Sequence, residues 1–265
     1  MSTMPTRTPW QVTRSVWFAM FMREAVSRTM ADRMGWFWMI AEPVAIIAIM
    51  VAMRAMISHS NGLIIGADFI PWMIVGLMGF YLVRDGMMRG LGAVDANKAL
   101  FAYRQVQPVD PVLVRNFLEG ILHTVVFLLF IVGGLMVGMD MFPDNLINAL
   151  FGWFSLWTLG LGLGLIVSVA GTLIPELAKI VRMLSLPLMI ISGGIIPLHI
   201  LPHNVLEYLM LNPIAHGLEL LRHDFFEPYH MAKGSSNIYL WLINLALITF
   251  GLLLHARFKE RLKAQ

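Results

Sequence analysis

The chain has 265 residues, 58% hydrophobic and 13% charged, with a formal net charge of +3 and no cysteine. A soluble domain carries about 25% charged residues; roughly half that value leaves too little polar surface to face water, so bilayer is the expected solvent. The missing cysteines exclude a disulfide framework or a thiolate metal site, and the basic pI near 9.4 is interpreted through the positions of the charges rather than as affinity for nucleic acid.

In chain order, the opening "MSTMPTRTPWQVTRSVW" lacks the charged start, apolar core and small-residue cleavage site of a secretory leader, so none is expected. Thr8 to Arg33 is too charged to span a membrane. Phe18, Phe21, Met22, Ala25 and Val26 recur at helical spacing, while Arg23, Glu24 and Ser27 fall elsewhere on the wheel. This predicts an amphipathic helix in the interface, with arginines near lipid phosphates. Arg14 and Trp17 fit the wheel poorly. A short soluble arm is the alternative, and Trp10, Trp17 and Phe18 argue against it.

Six stretches approach the roughly 20 apolar residues that a membrane helix needs. They lie at about 35–57, 69–91, 112–139, 146–174, from 181 onward, and 238–255. No repeat, low-complexity tract or separate soluble domain is visible. Sixteen of the 19 lysines and arginines fall before the first span, in the second-to-third and fourth-to-fifth connections, or in the tail. The positive-inside rule then places both termini in the cytoplasm. The second-to-third connection, "GAVDANKALFAYRQVQPVDP", mixes charge with Leu100, Phe101 and Tyr103. An apolar cluster in a polar loop predicts a short helix covered by a partner protein; a lipid-facing loop is the alternative. A shorter loop, "IPELAKIVR", offers a second contact.

The fifth stretch is broken. In "ISGGIIPLHILPHNVLEYLMLNPIAHGLELLRHDFF" the prolines Pro197, Pro202 and Pro213 each remove a backbone donor. Non-helical backbone at membrane depth survives only inside protein or beside a water-filled cavity. The prediction is a re-entrant segment over 193–226 on the outer side, with a plain loop and surface helix as the alternative.

Ionisable groups within spans are costly and mark functional paths or partners. Glu42 precedes Pro43, and Arg54 lies near the end of the first span, where it can also snorkel. Asp85 and Arg89 stand at i, i+4 and can pair, as do Glu119 and His123. Arg84 and Arg89 are expected near the cytoplasmic mouth. Trp36, Trp38, Trp72, Tyr81, Trp153 and Trp157 serve either as interfacial belt residues or as flat faces for sugars. Gly160 and Gly164 have the spacing of close helix approach.

The chain has no GK[ST] tripeptide, HExxH pair or G-x-S-x-G turn, so no phosphate loop, zinc-protease pair or serine nucleophile is expected. The outer histidines, His199, His203, His216, His223 and His230, repeat no metal-ligand spacing and are read as interfacial polar residues. No catalytic residue and no metal site is assigned.

Six spans, an interfacial N-terminal helix, a loaded second-to-third loop and a broken segment before the last span resemble the ABC-2 type permeases. "MREAVSRTMADRMGWFWMIAEPVAII" is similar to that family's lead into the first span. "GAVDANKALFAYRQVQPVDPVLVR" is similar to its coupling region, and the stretch from Ser192 to Phe226 to its C-terminal signature. The likeness covers nearly the whole chain and points most closely to permeases that export capsular polysaccharide from Gram-negative bacteria. It implies an all-α membrane fold of the type V exporter kind, with an N-terminal unit at 1–34 and a six-helix transmembrane domain at 35–265.

It further implies a homodimer in the inner membrane, two separate ATP-binding subunits that carry ATP and Mg, no cofactor in this chain, and no enzymatic activity of its own. A coupling helix over Asp95 to Gln105 would present Asp95, Asn97, Lys98, Phe101, Tyr103 and Arg104. A polymer with a lipid anchor and an acidic linker would thread a canal between the two permeases. Arg14, Arg23, Arg28, Arg33, Trp36, Trp38, Glu42, Arg54, Tyr81, Arg84, Arg89 and Trp157 are the residues expected at its gate or wall. Periplasmic co-polymerase and outer-membrane export partners would meet the outer segment. Two alternatives keep the fold: export of O-antigen or teichoic acid, and export of small-molecule drugs. A third is an intramembrane enzyme using the outer histidines, and a channel is disfavoured because no filter motif is visible.

Overall fold

A computed structural model describes residues 8–28, 34–57, 64 and 66–264. They form helices α1 (Pro9–Val26), α2 (Gly35–Ile57), α3 (Phe69–Leu91), α4 (Asp110–Met136), α5 (Leu146–Leu173), α6 (Pro175–Met183), α7 (Ser185–Ile191), α8 (His203–Leu209), α9 (Pro213–Phe225), α10 (Asn237–Arg257) and α11 (Lys259–Ala264). Two 3-10 segments, Asp95–Ala102 and Leu198–Ile200, complete the described elements, which include no strand. The chain is an all-α membrane protein. By length and hydropathy α4, α5 and α10 are each able to cross a bilayer, and the apolar part of α2, Phe37–Met53, is shorter.

The centre of the bundle is α3, packed by α5, α4 and α9. Its residues 71–83 are all buried, so this helix faces protein rather than lipid, which is why it tolerates a charged final third. A methyl group on Gly90 would sit 2.7 Å from the backbone of Gly164, and one on Gly164 only 2.9 Å from the Gly86 carbonyl. The GxxxG spacing of α5 thus meets the same spacing in α3, and the two backbones touch within one chain.

Thr8 caps α1 in a reciprocal box with Gln11, with Pro9 in the first turn. The expected single apolar stripe is split in two. Trp17, Met20 and Phe21 pack against the bundle, while Phe18 and Met22 face outward. The helix carries apolar residues on two sides because it serves two apolar surroundings, the protein and the exterior. Met20, Phe101, Val106, Val112, Val169 and Leu262 share one apolar cluster. It gathers α1, the 3-10 segment Asp95–Ala102, the start of α4, the end of α5 and α11, so both described ends of the chain lie at the same end of the bundle.

The fifth stretch departs from the expected boundaries. The helix starts at Pro175 rather than near Val181, and "IPELAKIVR" is mostly α6 instead of a loop. Pro175 is pre-organised for a first helical turn, Glu176 suits the positive end and Arg182 the negative one. The chain passes through Leu184 with continued helical bonding into α7. It then turns at Gly193, whose φ of +75° needs a glycine. Pro197 precedes the 3-10 segment Leu198–Ile200, Pro202 caps α8 and Pro213 opens α9. Each proline stands where a helix begins, so its missing donor costs nothing.

One buried ion pair ties this broken segment together. Arg222, wholly buried, donates to the carbonyls of Gly193 (2.8 Å) and Gly194 (3.1 Å) and to Glu219 Oε1 (3.3 Å). Its guanidinium lies 3.5 Å over the Trp72 ring, in a notch that exists because position 76 is glycine. Glu219 also accepts from the Tyr229 hydroxyl at 3.1 Å and the Ala232 amide at 2.8 Å.

Candidate functional site

Between α2, α3, α4 and the α6–α7 pair lies a cavity of about 480 Å³. Trp38, Met39, Glu42 and Pro43 contribute from α2; Tyr81, Arg84, Asp85, Met88 and Arg89 from α3; Glu119 and His123 from α4; Arg182 from α6 and Ser185 from α7. Helical spacing explains the α3 and α4 sets: positions 81, 85 and 88, and 119 and 123, recur on one face of their helix.

The charges are heavily cross-linked. Arg84 reaches Asp85 Oδ1 through Nε (2.6 Å) and Glu42 Oε1 through Nη1 (2.6 Å), and stacks 4.2 Å over the Tyr81 ring. Glu119, almost fully buried, is held by Arg28 at 2.7 Å and Arg89 at 3.6 Å. A buried carboxylate without such partners would cost several kcal/mol. His123 sets Nε2 3.1 Å from Asp85 Oδ2 and Nδ1 3.1 Å from the Glu119 carbonyl. The expected Asp85–Arg89 pair within α3 does not form among the described contacts; each group takes a partner elsewhere. Asp85, Glu119 and His123 bring one ligand atom each to within 4.8 Å of one another. They do not suit a resident metal, because guanidiniums already neutralise both carboxylates and the two His123 nitrogens face different groups.

The structure thus gathers Trp38, Glu42, Tyr81, Arg84 and Arg89 at one cavity, with Arg28 reaching it through Glu119. Trp157 is elsewhere: its indole donates to the Asn116 carbonyl (3.1 Å) and lines a separate apolar groove between α4 and α5. Arg14 is exposed on α1 and does not line the cavity. Arg23 bonds the Asn97 side chain, away from it. Arg33, and the side chains of Trp36 and Arg54, lie outside the described residues. Sequence reasoning left Arg182 out of the site, since it was assigned to the connection before the fifth span, and Ser185, since an uncharged residue in an apolar stretch gives no signal. Asp85, Glu119 and His123 were signalled by their helical spacing and stand at the cavity's centre. The outer histidines do not assemble; His216 instead places Nε2 2.6 Å from the Met210 carbonyl and accepts from the Ser236 amide at 3.0 Å.

At the end where the termini meet, the 3-10 segment ends at Ala102, short of the expected Gln105. Asn97 and Phe101 point inward, Phe101 into the apolar cluster and Asn97 onto Arg23 and the Ala93 carbonyl. The cover that an apolar loop requires is supplied by the chain's own α1, α5 and α11. Tyr103 and Arg104 remain exposed, and Asp95 and Lys98 form a surface pair at 3.1 Å.

No family model matches the chain. It is similar to the polysialic acid transport protein KpsM of Escherichia coli, 32% identical over 254 residues that cover 96% of this chain and 97% of that protein. It is also similar to the capsule polysaccharide export inner-membrane protein CtrC of Neisseria meningitidis serogroup B, at 26% identity over 96% of this chain and 95% of the relative. The corresponding protein BexB of Haemophilus influenzae is 27% identical over 93% of this chain and 92% of its own length.

Proposed function

Because the chain belongs to the family of capsule polysaccharide export inner-membrane proteins, we propose that it is the permease of an ATP-driven exporter of lipid-linked capsular polysaccharide. Two copies form a canal, and two separate ATPase subunits drive it. The observation that carries the reading is the charged cavity of about 480 Å³ inside apolar helices. Guanidiniums match the phosphate or carboxylate of a lipid-linker region bidentately, and Trp38 and Tyr81 offer flat faces to sugar rings. The distribution of Lys and Arg supports a cytoplasmic side for both termini, and the surface with Tyr103, Arg104 and Lys98 receives the ATPase. The α7–α9 segment closes the periplasmic mouth and meets periplasmic and outer-membrane partners.

Deletion of the gene in its host, followed by extraction of surface and cytoplasmic glycan, tests this. A bare surface with lipid-linked capsular polymer trapped inside is the expected result. Loss of another lipid-linked glycan, such as O-antigen, would reassign the substrate. A normal surface with altered sensitivity to toxic small molecules would overturn the polysaccharide reading.

A further inference from the structure

The three carboxylates of the cavity are not equally committed. The Glu119 side chain is 1% exposed and shared by two arginines, whereas that of Glu42 is 44% exposed and has Arg84 as its one charged partner among the described residues. Arg84 is held from two sides. Its Nε is fixed on Asp85 (2.6 Å), while Nη1 and Nη2 face Glu42 at 2.6 and 3.4 Å. The guanidinium therefore stays oriented by Asp85 whether or not Glu42 is present, and the Nη1–Nη2 edge is the forked edge that takes a carboxylate or phosphate. Glu42 returns to water at small cost, because a half-exposed ion pair is worth about 0–1 kcal/mol. Pro43 follows it directly, and its missing donor leaves the Met39 carbonyl without the usual helical bond, a place where α2 can bend. Arg182 lines the same cavity and has no carboxylate partner among the described residues.

We propose that Glu42 is a built-in competitor for Arg84: an incoming phosphate or carboxylate displaces its carboxylate from the Nη1–Nη2 edge and frees α2 from α3. In the empty permease this internal anion holds α2 against the bundle and covers the cation. Arg182 and Arg89 add charge that draws the incoming group in. The inference rests on the exporter reading for the origin of the anion, but the exchange itself concerns only this chain.

The absence of cysteine makes a single reporter straightforward. The full chain in phosphatidylcholine nanodiscs carries a bimane label at Val44→Cys, an exposed position on α2. Two probes are titrated: phosphatidylglycerol doped into the disc, and inorganic pyrophosphate in solution. Either probe is expected to shift the bimane emission. Binding to Glu42→Gln should be tighter by on the order of 2- to 5-fold, with the label already at its shifted position. Glu42→Asp, which withdraws the carboxylate by one methylene, should fall between, and Arg84→Gln should abolish the shift. A response to phosphatidylglycerol alone assigns the anion to a lipid headgroup; a response to both assigns it to the phosphate chemistry. If the probes bind in an Arg84-dependent way while Glu42→Gln leaves affinity and label unchanged, the competitor is overturned and the anion-handling cavity stands. If neither probe binds any variant, both ideas fall.

Discussion

Replacing Arg222 by methionine is the sharpest test of how the broken segment is held. The substitution keeps an apolar stem over Trp72 but strands Glu219, wholly buried with Arg222 as its only charged partner among the described residues. It also removes the donors to the Gly193 and Gly194 carbonyls. Removing one member of a buried pair costs about 3–5 kcal/mol. Each stranded carbonyl would add about 1–3 kcal/mol, but those losses overlap with the first, so about 4 kcal/mol is expected in total. A second change, Glu219→Gln, removes the stranded charge while keeping an acceptor for Tyr229 and the Ala232 amide. It should return about 1–2 kcal/mol of the loss. Unfolding in mixed detergent micelles, followed by tryptophan fluorescence, measures both variants. A cost below about 1 kcal/mol for Arg222→Met, or a double variant whose loss equals the sum of the singles, would refute a buried pair acting as one unit.

Three further outcomes follow from the packing. Phe101→Ala should cost about 3–5 kcal/mol by emptying its site in the core, while Tyr103→Ala should change stability by less than about 0.5 kcal/mol; co-purification of the proposed ATPase subunit should instead drop with Tyr103→Ala. Gly90→Ala forces a methyl group onto the Gly164 backbone and should destabilise by about 1–3 kcal/mol in the same unfolding assay. Burial pushes Asp224, in the last turn of α9, up to about 6 from its ordinary 3.8. Its folded form favours the neutral acid, so its contribution is complete below the lower value and lost as pH rises through the higher one. Asp224→Asn should flatten stability against pH across that window.

Much of this was legible in the chain because prolines and glycines speak locally. The breaks at Pro197, Pro202 and Pro213 were placed correctly, since a missing amide constrains its own turn whatever the surroundings. The Glu119 and His123 face was readable from helical spacing. Partners were not. Asp85 and Arg89 are correctly spaced to pair within α3, yet the fold offers Arg84 and His123 to one and Glu119 to the other. Phe101 shows the same limit: an apolar side chain in a polar loop announces that something covers it, not whether the cover is a partner or the chain's own α1 and α5. The start of α6 was missed because Leu177, Ile180 and Val181, though spaced as on one helix face, cover barely one turn between two apolar helices, too short a run to stand apart from a connection.

The glycine contact between α3 and α5 has a mechanical consequence. Where two backbones touch, no side chains stand between them to change rotamer and absorb a displacement, so this pair behaves as a stiff strut. Compliance is concentrated in α2, which meets the bundle mainly along α3, carries exposed residues such as Val44, Ile49 and Met53, and is weakened at Pro43. A force applied at the end where the termini meet is therefore transmitted along the strut nearly undiminished, and the strain it produces is released at the soft wall of the cavity.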